Sequence, residues 1–298
     1  MEFVKWLDRP TLRRPVLVAA FAGWNDAAEA ATTAVRYLHE TWHAHPFASI
    51  EPEEFFDFSS TRPTVFLRDG QTREIAWPTT EFSVAKLPGA SHDIVLLQGT
   101  EPQLKWRTFC RQVTDVAHAL RADLVLTLGA LLADVPHSRP VSIIGTATDA
   151  GLIARYGLQR SRYEGPTGIV GVLQDACTTT GIASASLWAA APNYVAHARS
   201  PKAALALTTR ACALLELPVS TTALELAAAD YEREVSELVE ADEDTADYVH
   251  RLESMVDGGE IQFGVDDDEP VSSGEPAESG SGEMLVEEVE RFLREQGS

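Results

Sequence analysis

Five short stretches combine residue types that could do chemistry. Gly23-Trp-Asn25-Asp26 follows an apolar run and opens a helical pattern, the position where a cap or a ligand is held. With one glycine and an acid it makes a poor phosphate loop, because an anion needs several exposed N–H groups and is repelled by a carboxylate. In Gly99-Thr-Glu101-Pro-Gln-Leu-Lys105-Trp106, Glu101 and Lys105 stand four apart. They suit a helix ion pair, or Glu101 faces a cleft as an acid or base. The loop from Gly129 to Pro140 holds Asp134, His137, Ser138 and Arg139. Asp, His and Ser are triad types, but nothing resembles a Gly-x-Ser-x-Gly elbow, and His137 has no His or Cys partner at metal-ligand spacing. Tyr163-Glu-Gly-Pro-Thr167-Gly168 is a turn whose two glycines would let backbone approach a small ligand, and Trp188-Ala-Ala-Ala-Pro-Asn193-Tyr194 closes a further apolar run.

Singly, each stretch has a plainer reading as a cap, an ion pair or a turn. Together, on one sheet edge, they outline a candidate cleft of Gly23, Asn25, Asp26, Glu101, Asp134, His137, Arg139, Thr167 and Asn193. No catalytic motif is complete, so no catalytic residue is assigned and the balance leans away from an enzyme. No cofactor and no metal site is expected; His39, His43 and His45 read as surface histidines. Cys110, Cys177 and Cys212 form no C-x-x-C pair and read as free thiols in a reducing compartment.

The elements that must position these residues are apolar runs: Pro15–Ala22, Asp93–Gln98, Ala122–Leu128, Val141–Gly145, Thr167–Val172 and Ser184–Ala190. Continuous apolarity predicts strands covered on both faces. Helical spacing over Asp26–His39 and Trp106–Leu120 alternates with them, which predicts an α/β domain over 1–220 with a mainly parallel sheet. Residues 51–88 carry Phe55, Phe56, Phe58, Val65, Phe66, Ile75 and Trp77, broken by Arg62-Pro63 and Asp69-Gly70, and predict an inserted β-excursion.

After Pro218 the texture changes. Leu224, Ala227, Ala228, Tyr231, Val235, Leu238 and Val239, then Tyr248, Leu252 and Met255, predict two amphipathic helices over 221–257. Residues 258–282 have the composition of a disordered acidic linker. Residues 283–298 predict a short tail helix whose Leu285, Val289, Phe292 and Leu293 would dock on a partner. The formal charge of -21 sits entirely after Leu215: the first 215 residues hold 20 acids and 20 bases, the last 83 hold 25 acids and 4 bases. Such a tail excludes nucleic acid and anionic membranes as main partners. With no leader-like or membrane-spanning run, the expected location is the cytoplasm.

Phe21-Ala-Gly-Trp-Asn-Asp-Ala27, Gly99-Thr-Glu-Pro102 with Trp106, Leu128–His137, Tyr163–Gly168 and Leu187–Pro192 occur in this order. Jointly they resemble the proteasome assembly chaperone 2 family in its actinobacterial branch, over roughly residues 10 to 255. The resemblance implies a three-layer α/β fold of the phosphorylase/hydrolase type and a homo-oligomer, a trimer being one form. It also implies a link to proteasome assembly through distant eukaryotic relatives, and so proteasome components as partners. Some of those relatives end in a hydrophobic-Tyr-x tail; residues 294–298 here are Arg-Glu-Gln-Gly-Ser, so docking is not expected to run through them. The function expected is a non-catalytic, assembly-chaperone-like interaction protein. The alternative is a small-molecule hydrolase, phosphorylase or ligand-binding protein using the cleft at the carboxyl edge of the sheet.

Overall fold

A computed structural model describes residues 1–259. The acidic linker beyond Gly259 and the tail residues Leu285, Val289, Phe292 and Leu293 lie outside the described residues. The strands are β1 (Val4–Trp6), β2 (Val16–Ala22), β3 (His45–Ile50), β4 (Thr64–Arg68), β5 (Thr72–Ala76), β6 (Thr80–Ala85), β7 (Ile94–Thr100), β8 (Leu124–Ala133), β9 (Ile143–Ala147) and β10 (Ser184–Pro192). The helices are α1 (Ala30–Thr41), α2 (Trp106–Leu120), α3 (Ala150–Tyr156), α4 (Ile169–Thr179), α5 (Pro201–Leu214), α6 (Thr222–Glu240) and α7 (Glu243–Asp257).

Among the described residues, eight strands form one sheet in the order β1-β3-β6-β7-β2-β8-β10-β9, and β4 pairs only with β5. The centre, β7-β2-β8-β10, is parallel, with registers such as Val16↔Ile94 and Ser184↔Val125. β6, β1 and β9 run against it while β3 runs with it, so the sheet is mixed and mostly parallel, five strands of eight sharing one direction.

Period-two geometry makes β2 serve two cores. Val16, Val18 and Ala20 face α1 and α5, while Leu17, Ala19 and Phe21 face α2 and α4. Helices thus cover both faces, giving the three layers that continuous apolar strands require. On α2, Phe109 is fully buried and meets Phe21 and Phe55 edge-to-face, with centroids 5.9 and 5.4 Å away. Each such side chain contributes about 1.5–3 kcal/mol by leaving water. A third, smaller core joins Val195 and Ala198 to Tyr231, Val235 and Val239 of α6 and Val249 of α7.

One local expectation is corrected. In Thr167–Val172, read as a strand, Gly168 is the N-cap of α4 and Ile169–Val172 form its first turn. Its Ile-Val-Gly-Val composition favours extended backbone, but side chains from distant turns satisfy the first N–H groups of a helix there, as described below. β9 is confirmed as a strand, yet it runs antiparallel, on the outer side of β10. Among the described residues no helix is long and apolar enough to cross a membrane.

Candidate functional site

The turns lie past the carboxyl ends of β2, β7, β8 and β10, and the structure sorts them into two groups. In the first, β2 leaves the sheet at Gly23, whose φ of +130° suits glycine. A Cβ added there would stand 3.1 Å from Glu101 Cβ. Asn25 and Glu101 both reach the start of α4. Glu101 Oε1 accepts from Ile169 N–H at 2.7 Å and Asn25 Oδ1 from Val170 N–H at 3.3 Å. A helix leaves its first N–H groups without partners and favours a negative group beside them, so both contacts stabilise α4. Thr167, exposed, sits two residues before that helix. Asp26 is spent in the other direction. Its carboxylate accepts from Ala31 N–H at 2.7 Å, from Thr32 N–H at 3.2 Å and from the Thr32 hydroxyl, which fixes the start of α1. Burial raises its pKa, against the opposing pull of those hydrogen bonds.

The second group is a polar seam between the loop after β8 and the C-terminal helices. Asp134 Oδ1 accepts from the Asn193 amide and, at 2.9 Å, from the Tyr248 hydroxyl. His137 is 4% exposed. Its Nδ1 lies 2.8 Å from Tyr194 OH, which also accepts from His137 N–H at 2.7 Å, and its Nε2 lies 3.0 Å from Ser236 Oγ. Since Ser236 Oγ donates to Glu232 O at 2.8 Å, bond counting assigns a neutral ring that donates through Nε2 and accepts at Nδ1. Burial, then the nearby Lys202 ammonium, holds the His137 pKa below its usual value. Lys202 Nζ in turn donates to His137 O and pairs with Glu232, each at 2.5 Å. Ser138 bonds Glu253, and Arg139 bonds Asp257 through Nε at 2.9 Å and Nη2 at 2.7 Å.

The nine candidate residues therefore share an edge but not a cavity. Gly23 and Asp26 border an open cleft of about 650 Å³, with Glu29, Arg36, Trp77 and Glu81 around it. Asn25 and Glu101 face α4, while Asp134, His137, Arg139 and Asn193 face α6 and α7. The lining of the open cleft contains no Ser, Cys or His. Sequence reasoning missed Lys202, Glu232, Ser236, Glu253 and Asp257, the other half of the seam. No motif marks them; only their place on the helical stripes past Ser200 could have drawn notice.

This arrangement defines a three-layer α/β protein whose carboxyl-edge turns brace its helices. The chain belongs to the PAC2 family, whose profile matches residues 20–239. It is similar to the crystal structure of a PAC2 family protein from Streptomyces avermitilis, at 45% identity and a TM-score of 0.74, covering 79% of this chain and 99% of that one. A proteasome-assembly chaperone homologue from Mycobacterium tuberculosis is also 45% identical, with a TM-score of 0.72 over 78% of this chain and 99% of the other. An archaeal proteasome activator from Pyrococcus furiosus shares the fold at 18% identity, with a TM-score of 0.65 over 79% and 97% of the two chains. The chain matches no curated protein.

Proposed function

We propose that this chain is an assembly-chaperone-like interaction protein of the cytoplasm that turns over no substrate, associates with itself, and takes proteasome components as partners. The observation that carries this reading is the use made of the edge side chains. Asp26, Glu101, Asp134, His137 and Arg139 are each bonded to this chain's own helices. A general base must be free to reach a substrate proton, and a nucleophile needs such a base beside it. Membership of the PAC2 family and 45% identity to a chaperone homologue support the same reading. The acid excess after Leu215 favours partners with basic surfaces.

The test mixes the purified full-length chain with purified proteasome core subunits. A complex on size exclusion, or faster formation of the core particle, is expected. No association at tens of micromolar would overturn the proteasome link. A second reading, a small-molecule hydrolase, phosphorylase or binding protein, draws on the open cleft beside Gly23. A metabolite retained in native mass spectra of the pure chain would favour it.

A further inference from the structure

The polar seam between the loop after β8 and the C-terminal helices borders a small cavity of about 40 Å³. Arg139 and Lys202 stand in its wall, and no carboxylate does. The acids that pair with them, Glu232, Glu253 and Asp257, lie outside the lining. Lys202 is half of what makes this wall electropositive. Its side chain is 15% exposed, and its Nζ has three protons to donate, of which His137 O and Glu232 take two.

Two hydroxyls border the same space. Tyr231 is 5% exposed, and its ring belongs to the small core of Val195, Ala198 and Val235. Its hydroxyl completes no hydrogen bond among the described residues, although Ser200 stands beside it. A buried hydroxyl without a partner is costly, and native structures keep few of them. Ser200 Oγ accepts from Ala203 N–H at 3.1 Å, so its own proton can turn into the cavity. Ser200 also caps α5, a helix of 14 residues whose amino end carries partial positive charge.

A ligand of this cavity must accept hydrogen bonds from several donors and tolerate a positive wall. It must also be small. One water needs about 10–15 Å³ of such space, so roughly three heavy atoms fit, the size of a carboxylate group. The outer side is apolar: Pro140 is exposed, and Val141 and Val256 are half-buried, which suits a short alkyl chain.

We propose that the seam binds a small aliphatic monocarboxylate. Lys202 Nζ, the Ser200 and Tyr231 hydroxyls and the amino end of α5 hold its carboxylate, and its chain lies between Pro140 and Val256. The site goes beyond the chaperone reading and does not depend on it. A ligand held there joins the β8 loop to α5 and α6, and so steadies the helices folded over the sheet edge.

Propionate is the probe. Thermal melting and saturation-transfer NMR on the full-length chain compare sodium propionate with sodium chloride at equal ionic strength. Propionate should raise the melting temperature in a saturable way, and chloride should not. Tyr231→Phe keeps the ring and removes only the hydroxyl. Without propionate it should melt no lower than wild type, since no bond is lost, and it should weaken binding roughly tenfold. Val256→Phe, at a half-buried position on the outer side, should also weaken binding by filling the path of the chain, and it decides the matter should Tyr231→Phe fail to fold. No effect of propionate beyond that of chloride would overturn the site and leave a cavity for water alone. Equal binding by wild type and the folded variants would put the carboxylate elsewhere and overturn it as well. A lower melting temperature of Tyr231→Phe without propionate would show the hydroxyl already bonded to Ser200 and overturn its part in the site.

Discussion

Arg139, in the loop after β8, grips Asp257 at the last turn of α7 with two guanidinium nitrogens, at 2.9 and 2.7 Å across 118 residues of sequence. This pair, with Glu253 at 3.3 Å, ties the end of the described chain back to the carboxyl edge of the sheet. A forked two-bond contact fixes orientation as well as distance. It therefore holds the last turn of α7 against the loop after β8.

Arg139→Ala should accordingly release α7 locally rather than unfold the protein. The pair is open to solvent, so its effect on overall stability should be small and should shrink in salt. Hydrogen exchange is the sensitive readout: amides of Glu243–Asp257 should exchange faster while the central strands keep their protection. The Arg139 bond lowers the Asp257 pKa from 3.8. Its contribution is thus present above about pH 4 and lost as acid protonates the carboxylate. Unchanged α7 protection in the variant would show that α7 is held by its apolar contacts alone.

Gly168 should be intolerant of even one methyl. A Cβ there would stand 2.1 Å from Asn25 Oδ1, which accepts from Val170 N–H. Gly168→Ala should cost about 1–3 kcal/mol in urea unfolding, by overpacking. Asn25→Ala should cost a similar amount by leaving the helix N–H without its partner. The double variant should fall short of the sum, because removing Asn25 makes room for the methyl. Strict additivity would refute the close approach of the two turns.

The contrast between β2 and α4 explains what the sequence reveals. β2 is legible because a strand buried on both faces must be apolar throughout, and Val16–Ala22 is. The first turn of α4 is not legible because its leading N–H groups are satisfied by Glu101 and Asn25, 68 and 145 residues away in sequence. Local composition cannot carry such information. The candidate site divides in the same way. Parallel strands place their following turns on one edge, so the grouping of Gly23, Glu101, His137 and Asn193 could be read. Their bonding could not, since Ser236, Glu253 and Asp257 meet the β8 loop only after α6 and α7 have folded over it.

All three thiols should be inert in the native state. Cys110, Cys177 and Cys212 are buried, and burial raises each thiol to a pKa of about 12. The thiolate is the reactive form, so almost none is present at pH 8. An aromatic disulfide reagent should label none of them within an hour in buffer and all three in denaturant. Labelling rates across a urea series should follow global unfolding. Fast labelling of one cysteine in buffer would mean that its helix opens locally.

His137 should make the protein acid-sensitive in a defined window. Its neutral ring accepts from Tyr194 and donates to Ser236, so protonation at Nδ1 would set two donors against each other in a buried site. Burial lowers its folded pKa below the usual 6.5, with Lys202 repelling the added charge and Glu232 and Glu253 opposing that repulsion. The sign follows from the depressed value: between the folded pKa and 6.5 the unfolded chain binds more protons than the folded one. Stability from this group is complete above about pH 6.5 and falls as pH drops below it. His92, whose pKa burial also lowers, acts in the same direction, so the comparison must be between wild type and a His137 variant. His137→Phe leaves the Ser236 and Tyr194 hydroxyls without the ring and should cost about 1–3 kcal/mol at pH 7.5. It should also flatten the slope of unfolding free energy between pH 7 and pH 5 relative to wild type. Equal slopes in the two proteins would mean that His137 takes up its proton without strain and that the Tyr194 contact yields to accommodate it.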